Sequence, residues 1–392
     1  MKNTSPRILV VSGEASGDMY AAELIKEIRK RLPSAHFYGL GGEKSRLAGM
    51  EIIAEMTALS VVGFAEVLQK LHKIKAVFDK ILSVSSSLRP DAAILIDYPG
   101  FNLRLAAKLK KIGIPVIYYV SPQIWAWGAG RIKTIRRNVD MMIVLFNFEE
   151  EIYKKADVPV FFSGHPLAGM VKTDPVRKAA FIQHNRIREE LPIVTIMPGS
   201  RRKEITALLT PMLESCAILN EMLAGKVQFL LLQAPGIPFK MFQDRVYSYG
   251  LDIKILYGYN YEALEISDFA MVASGTAALE AAILEVPMAI MYKLSPLTWM
   301  LLRMLLKIKY AGIVNIIADR EIVKEFLQYD IKPERIAGYA YNVLSDRTAA
   351  VVIKKELRRI KESLGSQEAV PRAAEAIAEL IDKKREMTGL QE

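Results

Sequence analysis

Hydrophobic positions in this chain fall into two series of short apolar runs, with polar and amphipathic segments between them. The runs of the first series lie at Ile8–Val11, Ala93–Ile96, Val116–Val120 and Met142–Leu145, with helical periodicity over Ala21–Arg31 and Leu103–Lys111. Those of the second series lie at Ile193–Met197, Val227–Leu232, Ile253–Leu256, Phe269–Ala273 and Met288–Met291. Buried strands that alternate with amphipathic helices are typical of parallel sheets. The pattern predicts an α/β protein with two Rossmann-like domains.

A polar and basic segment from Val171 to Glu190 separates the two series and has neither a helical nor a strand period. We place the connection between the domains there. From Pro333 onward the pattern is helical only. The predicted organisation is an N-terminal Rossmann-like domain over residues 1–170, a C-terminal one over 171–345, and helices over 346–392 that pack back on the N-terminal domain or on a partner subunit.

Composition narrows the function classes. Hydrophobic residues make up 51% of the chain, which excludes a disordered protein, and 53 Lys and Arg against 43 Asp and Glu give a formal charge of +10. Such an excess favours phosphorylated ligands, polyanions or an anionic bilayer surface.

The sole cysteine, Cys216, excludes an intramolecular disulfide and fits a reducing compartment. The longest uncharged stretch, Ile112–Gly130, contains Gly113 and Pro115, so we expect any membrane contact to be peripheral.

The first candidate loop, Gly13-Glu-Ala-Ser-Gly-Asp18, follows the first predicted strand. Ligands of open α/β sheets bind at the carboxyl ends of the strands. The loop lacks the Gly-x-Gly-x-x-Gly spacing, and its two carboxylates would repel a diphosphate. We therefore expect Glu14, Ser16 and Asp18 to bind neutral hydroxyls, with capping of the following helix as the alternative for Asp18.

The second loop, Asp97-Tyr-Pro-Gly-Phe-Asn102, places a carboxylate at the end of an apolar strand. A carboxylate in that position can act as a general base for an alcohol nucleophile. The alternative is that Asp97 only braces the Pro99-Gly100 turn. A third loop, Tyr119–Trp127, carries two tryptophans, which structural packing explains.

Two loops of the second series are suited to a diphosphate. Pro198-Gly-Ser-Arg201 places a guanidinium beside a glycine-containing turn. The run Ser274, Gly275 and Thr276 opens a helix whose free N–H groups and dipole attract a diphosphate. Glu280 lies one turn further along the same helix face, where a carboxylate can bind a ribose diol.

Metal ligands are not evident in the sequence. No Asp-x-Asp pair occurs, and the histidines are scattered without metal-ligand spacing. We therefore expect no metal and no other cofactor. A leaving diphosphate is then stabilised by Arg201 and by the helix N-terminus at Thr276.

Taken together, these loops resemble the motifs of the lipid A disaccharide synthase family. The matching segments are 13–18, 96–102, 119–127, 198–201, 273–280, Asn315 and Arg320-Glu-Ile-Val-Lys-Glu325, in the family's order. The resemblance implies the GT-B architecture of two facing Rossmann-like domains. It also implies an inverting glycosyltransferase that joins UDP-2,3-diacylglucosamine to 2,3-diacylglucosamine 1-phosphate, giving a β-1,6-linked lipid disaccharide phosphate and UDP. The chain departs from the family pattern at Gly100, where an acid is frequent, and at Val314, where proline is common.

The resemblance also implies roles and partners. Asp97 corresponds to the catalytic base, Ser16 and Asn315 to polar active-site positions, and Arg201 to the arginine near the UDP phosphates. The implied partners are the acylated donor and acceptor and the inner leaflet of a Gram-negative inner membrane, at its cytoplasmic face, without nucleic acid. The resemblance leaves open whether the protein forms a homodimer. Attack by an alcohol from the face opposite an α-linked UDP gives a β-linkage in one displacement.

Acylated substrates make one apolar stripe a candidate for membrane contact. Val67, Leu68 and Leu71 are predicted to enter the membrane surface, on a stripe that continues at helical spacing through Ile74, Phe78, Ile81 and Leu82. The alternative is a helix packed on its own domain. The segment Leu297–Leu306 is a second membrane candidate, with core burial as its alternative.

Two other functions stay open on the residues alone. Arg201, Thr276 and Glu280 would serve any UDP-sugar, so the alternative is another GT-B UDP-N-acetylglucosamine enzyme, a 2-epimerase or a peptidoglycan glycosyltransferase. A basic RNA-binding scaffold would interleave aromatic residues with its lysines and arginines, and the sequence lacks that pattern.

Overall fold

The structure, a computed structural model, describes residues 5–56, 64–125, 128, 130–295, 299–300 and 309–389, without the side chains of 15, 64–71 and 388–389. The chain divides into two compact units. The first unit comprises Met1–Gly169 and Leu364–Glu392, and the second comprises Met170–Ser363. No helix among the described residues is both long enough and apolar enough to cross a membrane.

The first unit contains a seven-stranded parallel sheet in the order β3-β2-β1-β4-β5-β6-β7. Its strands are β1 (Arg7–Ser12), β2 (His36–Gly41), β3 (Glu51–Glu55), β4 (Ala92–Ile96), β5 (Val116–Tyr119), β6 (Met141–Val144) and β7 (Val160–Phe162). Every residue of β4 is buried, as expected for a central strand covered on both faces. The apolar core of this unit forms between the sheet and its helices.

Eight of the described helices belong mainly to this unit. They are α1 (Ala15–Arg31), α2 (Glu43–Leu47), α3 (Phe64–Leu88), α4 (Pro99–Lys111), α5 (Arg131–Asn138), α6 (Asn147–Lys154), α7 (Leu167–Met170), where the chain passes into the second unit, and the last helix, α16 (Ala369–Gly389). Helix α16 packs against α1, and the Arg372 guanidinium donates to the carbonyl oxygens of Phe162 and Ser163 at 3.1 and 3.3 Å.

The second unit contains a six-stranded parallel sheet in the order β10-β9-β8-β11-β12-β13. Its strands are β8 (Ile193–Met197), β9 (Gln228–Gln233), β10 (Ile253–Tyr257), β11 (Phe269–Ala273), β12 (Met288–Tyr292) and β13 (Lys324–Leu327). Its described helices are α8 (Pro175–His184), α9 (Arg202–Met222), α10 (Lys240–Tyr247), α11 (Asn260–Glu265), α12 (Thr276–Ile283), α13 (Ile313–Ala318), α14 (Pro333–Ser345) and α15 (Arg347–Ser363). A short 3₁₀ turn, Gln328–Asp330, follows β13.

The two parallel Rossmann-like sheets and the helical tail confirm the predicted fold class. The tail is divided between the units, because α15 packs on α12 and α14 in the second unit whereas α16 packs on α1 in the first. The predicted segment 346–392 therefore does not form one body.

The segment Val171–Glu190 differs from the expectation that it has no regular structure. Helix α8 lies within it, because Asp174 Oδ1 accepts from the N–H groups of Val176 and Arg177 at 2.9 and 3.3 Å and proline occupies the first turn. Phe181 is buried on the inner face of this helix.

Each sheet has one topological switch point, where the direction of strand addition reverses. In the first unit it lies between β1 and β4, and in the second between β8 and β11. Ligands of open α/β sheets bind in the crevice outside the carboxyl ends of such strands. Four of the predicted loops, at 13–18, 97–102, 198–201 and 274–276, follow these four strands.

Candidate functional site

The loops that follow β1 and β4 meet at Gly13 and Tyr98. A Cβ atom on Gly13 would lie 2.7 Å from two ring atoms of Tyr98, so only glycine lets the ring approach this closely. Burial raises the pKa of Tyr98, and the negative charge of Glu14 adds to the rise. The switch point of the first unit thus brings Glu14 and the Asp97–Tyr98 turn together.

Asp97 lies partly buried directly after β4, with a left-handed φ of +49°. Its N–H donates to the carbonyl oxygen of Tyr119 at 3.0 Å. Its own carbonyl oxygen accepts from the Tyr118 hydroxyl at 2.6 Å and from Asn102 Nδ2 at 2.8 Å. The backbone of Asp97 is therefore held from both sides at the edge where ligands bind.

Asp18 is 3% exposed and caps helix α2 from within α1. Its Oδ1 accepts from the N–H groups of Gly42 and Ser45 at 2.8 and 3.2 Å, and Oδ2 accepts from the N–H of Lys44 at 3.0 Å. The hydroxyl of Ser45 also donates to this carboxylate. A ligand hydroxyl would have to compete with these donors. The structure therefore favours a capping role for Asp18, and the helix that it caps is α2 rather than α1. Ser16, in the first turn of α1, is partly exposed.

Arg201 lies at the start of α9, beside the carboxyl end of β8, and 67% of its side chain is exposed. Glu204 Oε2 accepts from the N–H groups of Ser200 and Arg201 at 3.1 and 3.3 Å, and Arg201 Nη1 lies 3.4 Å from Glu204 Oε1. An ion pair with an exposed guanidinium is weak, so this pair alone would not keep Arg201 from binding a phosphate.

The turn after β11 is held by two hydrogen bonds from Ser274. The Ser274 N–H donates to the Met291 carbonyl oxygen at 2.8 Å, and Ser274 Oγ donates to the Ala311 carbonyl oxygen at 3.2 Å. Gly275 has a φ of +147°, and among the described residues only Gly275 and its chain neighbours could come within 4 Å of the position that a Cβ would occupy there. Helix α12 begins at Thr276, so the N–H groups of its first turn have no partner within the helix and are suited to bind a phosphate.

A cavity of about 510 Å³ lies at the carboxyl ends of β9 and β10. Its lining residues are Lys172, Asp174, Arg177, Gln233, Pro235, Tyr257, Gly258, Asn260, Tyr261 and Glu262. Tyr261 hydrogen-bonds Glu280 of α12, and burial followed by the charge of Glu280 raises the pKa of Tyr261. Arg177 and Glu262 form an ion pair at 2.6 Å in the wall. The cavity therefore connects, through Tyr261, to the predicted ribose-binding carboxylate.

The sequence interpretation missed this cavity. Its best signal was the polar and aromatic run Tyr257–Glu262, which comes directly after the predicted strand Ile253–Leu256. Arg177 belongs to the segment that was expected to be irregular, so its place in a cavity wall was not visible from periodicity.

Asn315 is completely buried in the second unit and has every hydrogen-bonding position of its amide occupied. Its Nδ2 donates to the Val323 carbonyl oxygen and to Glu325 Oε1, both at 2.8 Å. Its Oδ1 accepts from the N–H groups of Ile322 and Val323 at 2.8 and 3.1 Å. The amide thus joins α13 to β13.

Besides the buried tyrosines, Glu149 and His165 of the first unit have shifted pKa values. Burial raises the pKa of Glu149 to about 7, against hydrogen bonds from Phe146, Trp125, Ser121 and Leu145 that lower it. Trp125 Nε1 of the third loop donates to Glu149 at 3.3 Å. Burial alone lowers the pKa of His165 to about 3. Sequence patterns gave no signal for either shift.

The predicted membrane residues Val67, Leu68 and Leu71 lie in the part of α3 whose side chains are outside the described set. In the described half of the same stripe, Ile81 is completely buried and Phe78 packs edge-to-face on Phe101 with ring centroids 5.3 Å apart. That half packs on its own unit. Within Leu297–Leu306 only 299 and 300 are described, and Trp127 of the third loop is also outside the description.

No three His, Cys, Asp or Glu side chains cluster in a way that could hold a metal ion, within the part of the chain that is described. The expectation of a reaction without metal or cofactor stays a prediction.

Comparison with known proteins adds independent information. The sequence profile of a family described as "Lipid-A-disaccharide synthetase" matches residues 8–381. A lipid-A-disaccharide synthase of Syntrophus aciditrophicus is 40% identical over 380 residues, which cover 97% of this chain and 99% of that protein.

Solved structures show the same fold at low sequence identity. UDP-GlcNAc 2-epimerase from Neisseria meningitidis, bound to UDP-GlcNAc, superposes with a TM-score of 0.68 at 12% identity, over 95% of this chain and 100% of that one. The calicheamicin glycosyltransferase CalG4 superposes with a TM-score of 0.60 at 12% identity, over 97% and 99% of the two chains. These likenesses support the GT-B fold, and they do not distinguish an epimerase from a transferase.

Proposed function

The chain belongs to the lipid-A-disaccharide synthetase family and is a glycosyltransferase, and from this premise we propose that it joins UDP-2,3-diacylglucosamine to 2,3-diacylglucosamine 1-phosphate. The products are the β-1,6-linked lipid disaccharide phosphate and UDP. One observation carries the proposal: the predicted donor and acceptor loops follow the four strands that flank the two switch points. The 40% identity over nearly the whole chain favours this function over a 2-epimerase or a peptidoglycan glycosyltransferase.

The second unit would hold the UDP part of the donor. The diphosphate binds in the open space beside Gly275, at the N-terminus of α12, and Arg201 pairs with its charge. Glu280 binds the ribose diol, and the cavity that Tyr261 links to Glu280 takes the rest of the nucleoside. As the glycosidic bond breaks, negative charge grows on the diphosphate, where the helix N-terminus and the guanidinium stabilise it.

The first unit would activate the acceptor. Asp97 takes the proton of the 6-hydroxyl group, whose oxygen attacks the anomeric carbon from the face opposite UDP. The C–O bond to UDP breaks as the new bond forms, so the configuration inverts in one displacement. Ser16 and Glu14 lie at the same switch point and are proposed to bind acceptor hydroxyls.

We place the reaction at the cytoplasmic face of the inner membrane, because both substrates carry acyl chains. The first part of α3 supplies the contact, with Val67, Leu68 and Leu71 in the headgroup region and neighbouring lysines towards anionic lipids.

Incubation of the purified protein with UDP-diacylglucosamine and diacylglucosamine 1-phosphate, followed by mass spectrometry, tests the proposal. We expect disaccharide phosphate and equimolar UDP in the presence of a chelator. Free UDP without disaccharide, or epimerised UDP-sugar, would refute the proposed transfer. Formation of disaccharide only when a divalent cation is added would refute the metal-free step alone.

A further inference from the structure

Asp97 and Tyr98 both adopt a backbone conformation that residues with side chains usually avoid. Their φ values are +49° and +48°, in the left-handed region. Two consecutive residues of this kind persist only where surrounding contacts impose the conformation. The contacts made by Asp97 therefore identify the side chains that enforce it.

Two buried side chains hold the carbonyl oxygen of Asp97. The Tyr118 hydroxyl donates to it at 2.6 Å, and Asn102 Nδ2 donates to it at 2.8 Å. Asn102 Nδ2 also donates to the Ile96 carbonyl oxygen at 3.1 Å, while the Asp97 N–H donates to the Tyr119 carbonyl oxygen at 3.0 Å. The peptide groups on both sides of the Asp97 Cα are thus fixed, and with them the direction of its Cβ.

Both donors are suited to a permanent restraint. Tyr118 and Asn102 are completely buried, so few rotamers are open to them. Burial raises the pKa of Tyr118 well above its usual value, which keeps the hydroxyl protonated and able to donate. Asn102 Oδ1 is buried and has no hydrogen-bond donor among the described residues, so the side chain keeps the two bonds donated by Nδ2 at the cost of an unsatisfied oxygen.

We propose that Tyr118 and Asn102 are positioning residues that clamp the main chain of Asp97 and thereby aim its carboxylate at the acceptor hydroxyl. The inference rests on the proposed role of Asp97 as general base. Neither side chain contacts substrate in this scheme, because both act through Asp97. Preorganisation of this kind raises turnover by keeping the base in the reactive geometry, without adding ground-state binding.

The neighbouring residues of β5 provide a matched pair of variants. Tyr118→Phe removes the hydroxyl that clamps Asp97. Tyr119→Phe removes a buried hydroxyl that has no hydrogen-bond partner among the described residues, and it leaves in place the Tyr119 carbonyl oxygen that accepts from Asp97. Both variants conserve the ring and lie in the same strand. We expect Tyr118→Phe to lower kcat by about tenfold or more, with KM for donor and acceptor changed by less than about twofold. We expect Tyr119→Phe to keep the wild-type kcat, since loss of an unpaired buried hydroxyl is close to neutral.

A double-mutant cycle with Asp97→Asn separates positioning from a structural effect. If Tyr118 acts through the base, Tyr118→Phe lowers kcat in the wild-type background and has no further effect once the base is absent. Asn102→Leu, if it folds, should behave in the same way. Equal kcat values for Tyr118→Phe and Tyr119→Phe would overturn the inference, as would a full additional loss in the Asp97→Asn background. Near-normal turnover of Asp97→Asn itself would instead refute the proposed base, a distinct result.

Discussion

Asn315 Nδ2 donates to Glu325 Oε1 at 2.8 Å, and this bond begins a chain of contacts that ends at the predicted diphosphate loop. Glu325 accepts from the N–H groups of Ala311 and Gly312 at 2.7 and 3.0 Å. The carbonyl oxygen of Ala311 in turn accepts from Ser274 Oγ at 3.2 Å. Because the amide of Asn315 is fully used, an effect of Asn315 on activity is transmitted through this network rather than by contact with a ligand.

Glu325→Gln tests the network. An amide cannot replace both carboxylate oxygens as acceptors, so one N–H at Ala311 or Gly312 loses its partner, at a cost of about 1–3 kcal/mol in the free energy of unfolding. The turn that holds Ser274 then loosens, and we expect weaker UDP binding in calorimetry. Glu321→Gln is the control, because Glu321 forms an exposed pair with Lys324 and its loss should change neither quantity. Wild-type UDP affinity and melting temperature in Glu325→Gln would contradict the network.

The positions of the candidate loops at the strand ends could be predicted from sequence because of how parallel sheets are built. Strands β4 and β11 are continuous apolar runs and β8 is interrupted only by Thr195, so the residues that follow them must lie at the carboxyl edge. The hydrophobic pattern did not predict the strands that are less apolar. β2 includes Gly39 and Gly41, and β13 is a charged edge strand, Lys324–Leu327, that lacks an apolar run.

The supporting contacts could not be predicted, because they join residues far apart in sequence. The Tyr118 hydroxyl meets Asp97 only because β5 pairs with β4 in the observed register. Tyr261 of α11 meets Glu280 of α12, although the two helices follow strands that are not adjacent in the sheet. Asp18 was assigned a ligand or a cap on α1, and the close approach of α2, which uses its carboxylate, depends on tertiary packing.

Asp97→Asn is expected to lower turnover by about 100-fold or more while UDP affinity stays unchanged. The amide keeps the size of the side chain but cannot take the acceptor proton. Steady-state kinetics and UDP titration measure the two effects separately. Near-normal turnover would exclude Asp97 as the base and would favour its alternative role in bracing the turn.

Glu280→Ala is expected to weaken UDP binding by about 1–3 kcal/mol, because a charged acceptor for the ribose diol is lost. Tyr261→Phe is the matched variant, since it removes the bond to Glu280 and leaves the carboxylate in place. We expect the larger loss from Glu280→Ala. Equal losses in the two variants would indicate that Glu280 acts only by holding Tyr261.

Glu149→Gln is expected to change how stability depends on pH. The pKa of Glu149 rises from 4.5 to about 7 in the folded protein, so the folded state binds the proton more tightly and the wild type loses stability as pH rises through that interval. Glutamine cannot ionise. As the pH rises from 4.5 to 8, the free energy of unfolding of the variant should therefore increase by about 3 kcal/mol relative to that of the wild type.

Comparison of Glu149→Gln with the wild type isolates the effect of Glu149 on the pH dependence of stability. The pKa of His165 falls from 6.5 to about 3 on folding, so its contribution to stability is lost as the pH falls. Because His165 is present in both proteins, this effect cancels in the comparison. Denaturant unfolding at several pH values gives the difference directly. A difference that does not vary with pH would show that Glu149 does not titrate in this interval.

The two halves of α3 give the membrane proposal an internal control. Replacement of Val67, Leu68 and Leu71 by Ser should release the protein from anionic vesicles without lowering its melting temperature, because the lost apolar area faced lipid. Ile81→Ser, on the same stripe but completely buried, should instead cost several kcal/mol and leave vesicle binding of the folded fraction intact. Sedimentation with vesicles and thermal melting measure both variants. If the triple variant melts as far below wild type as Ile81→Ser, the first half of the helix packs on its own unit and the proposal is wrong. If it melts normally and still sediments, the contact lies elsewhere, and Leu297–Leu306 is the next segment to replace.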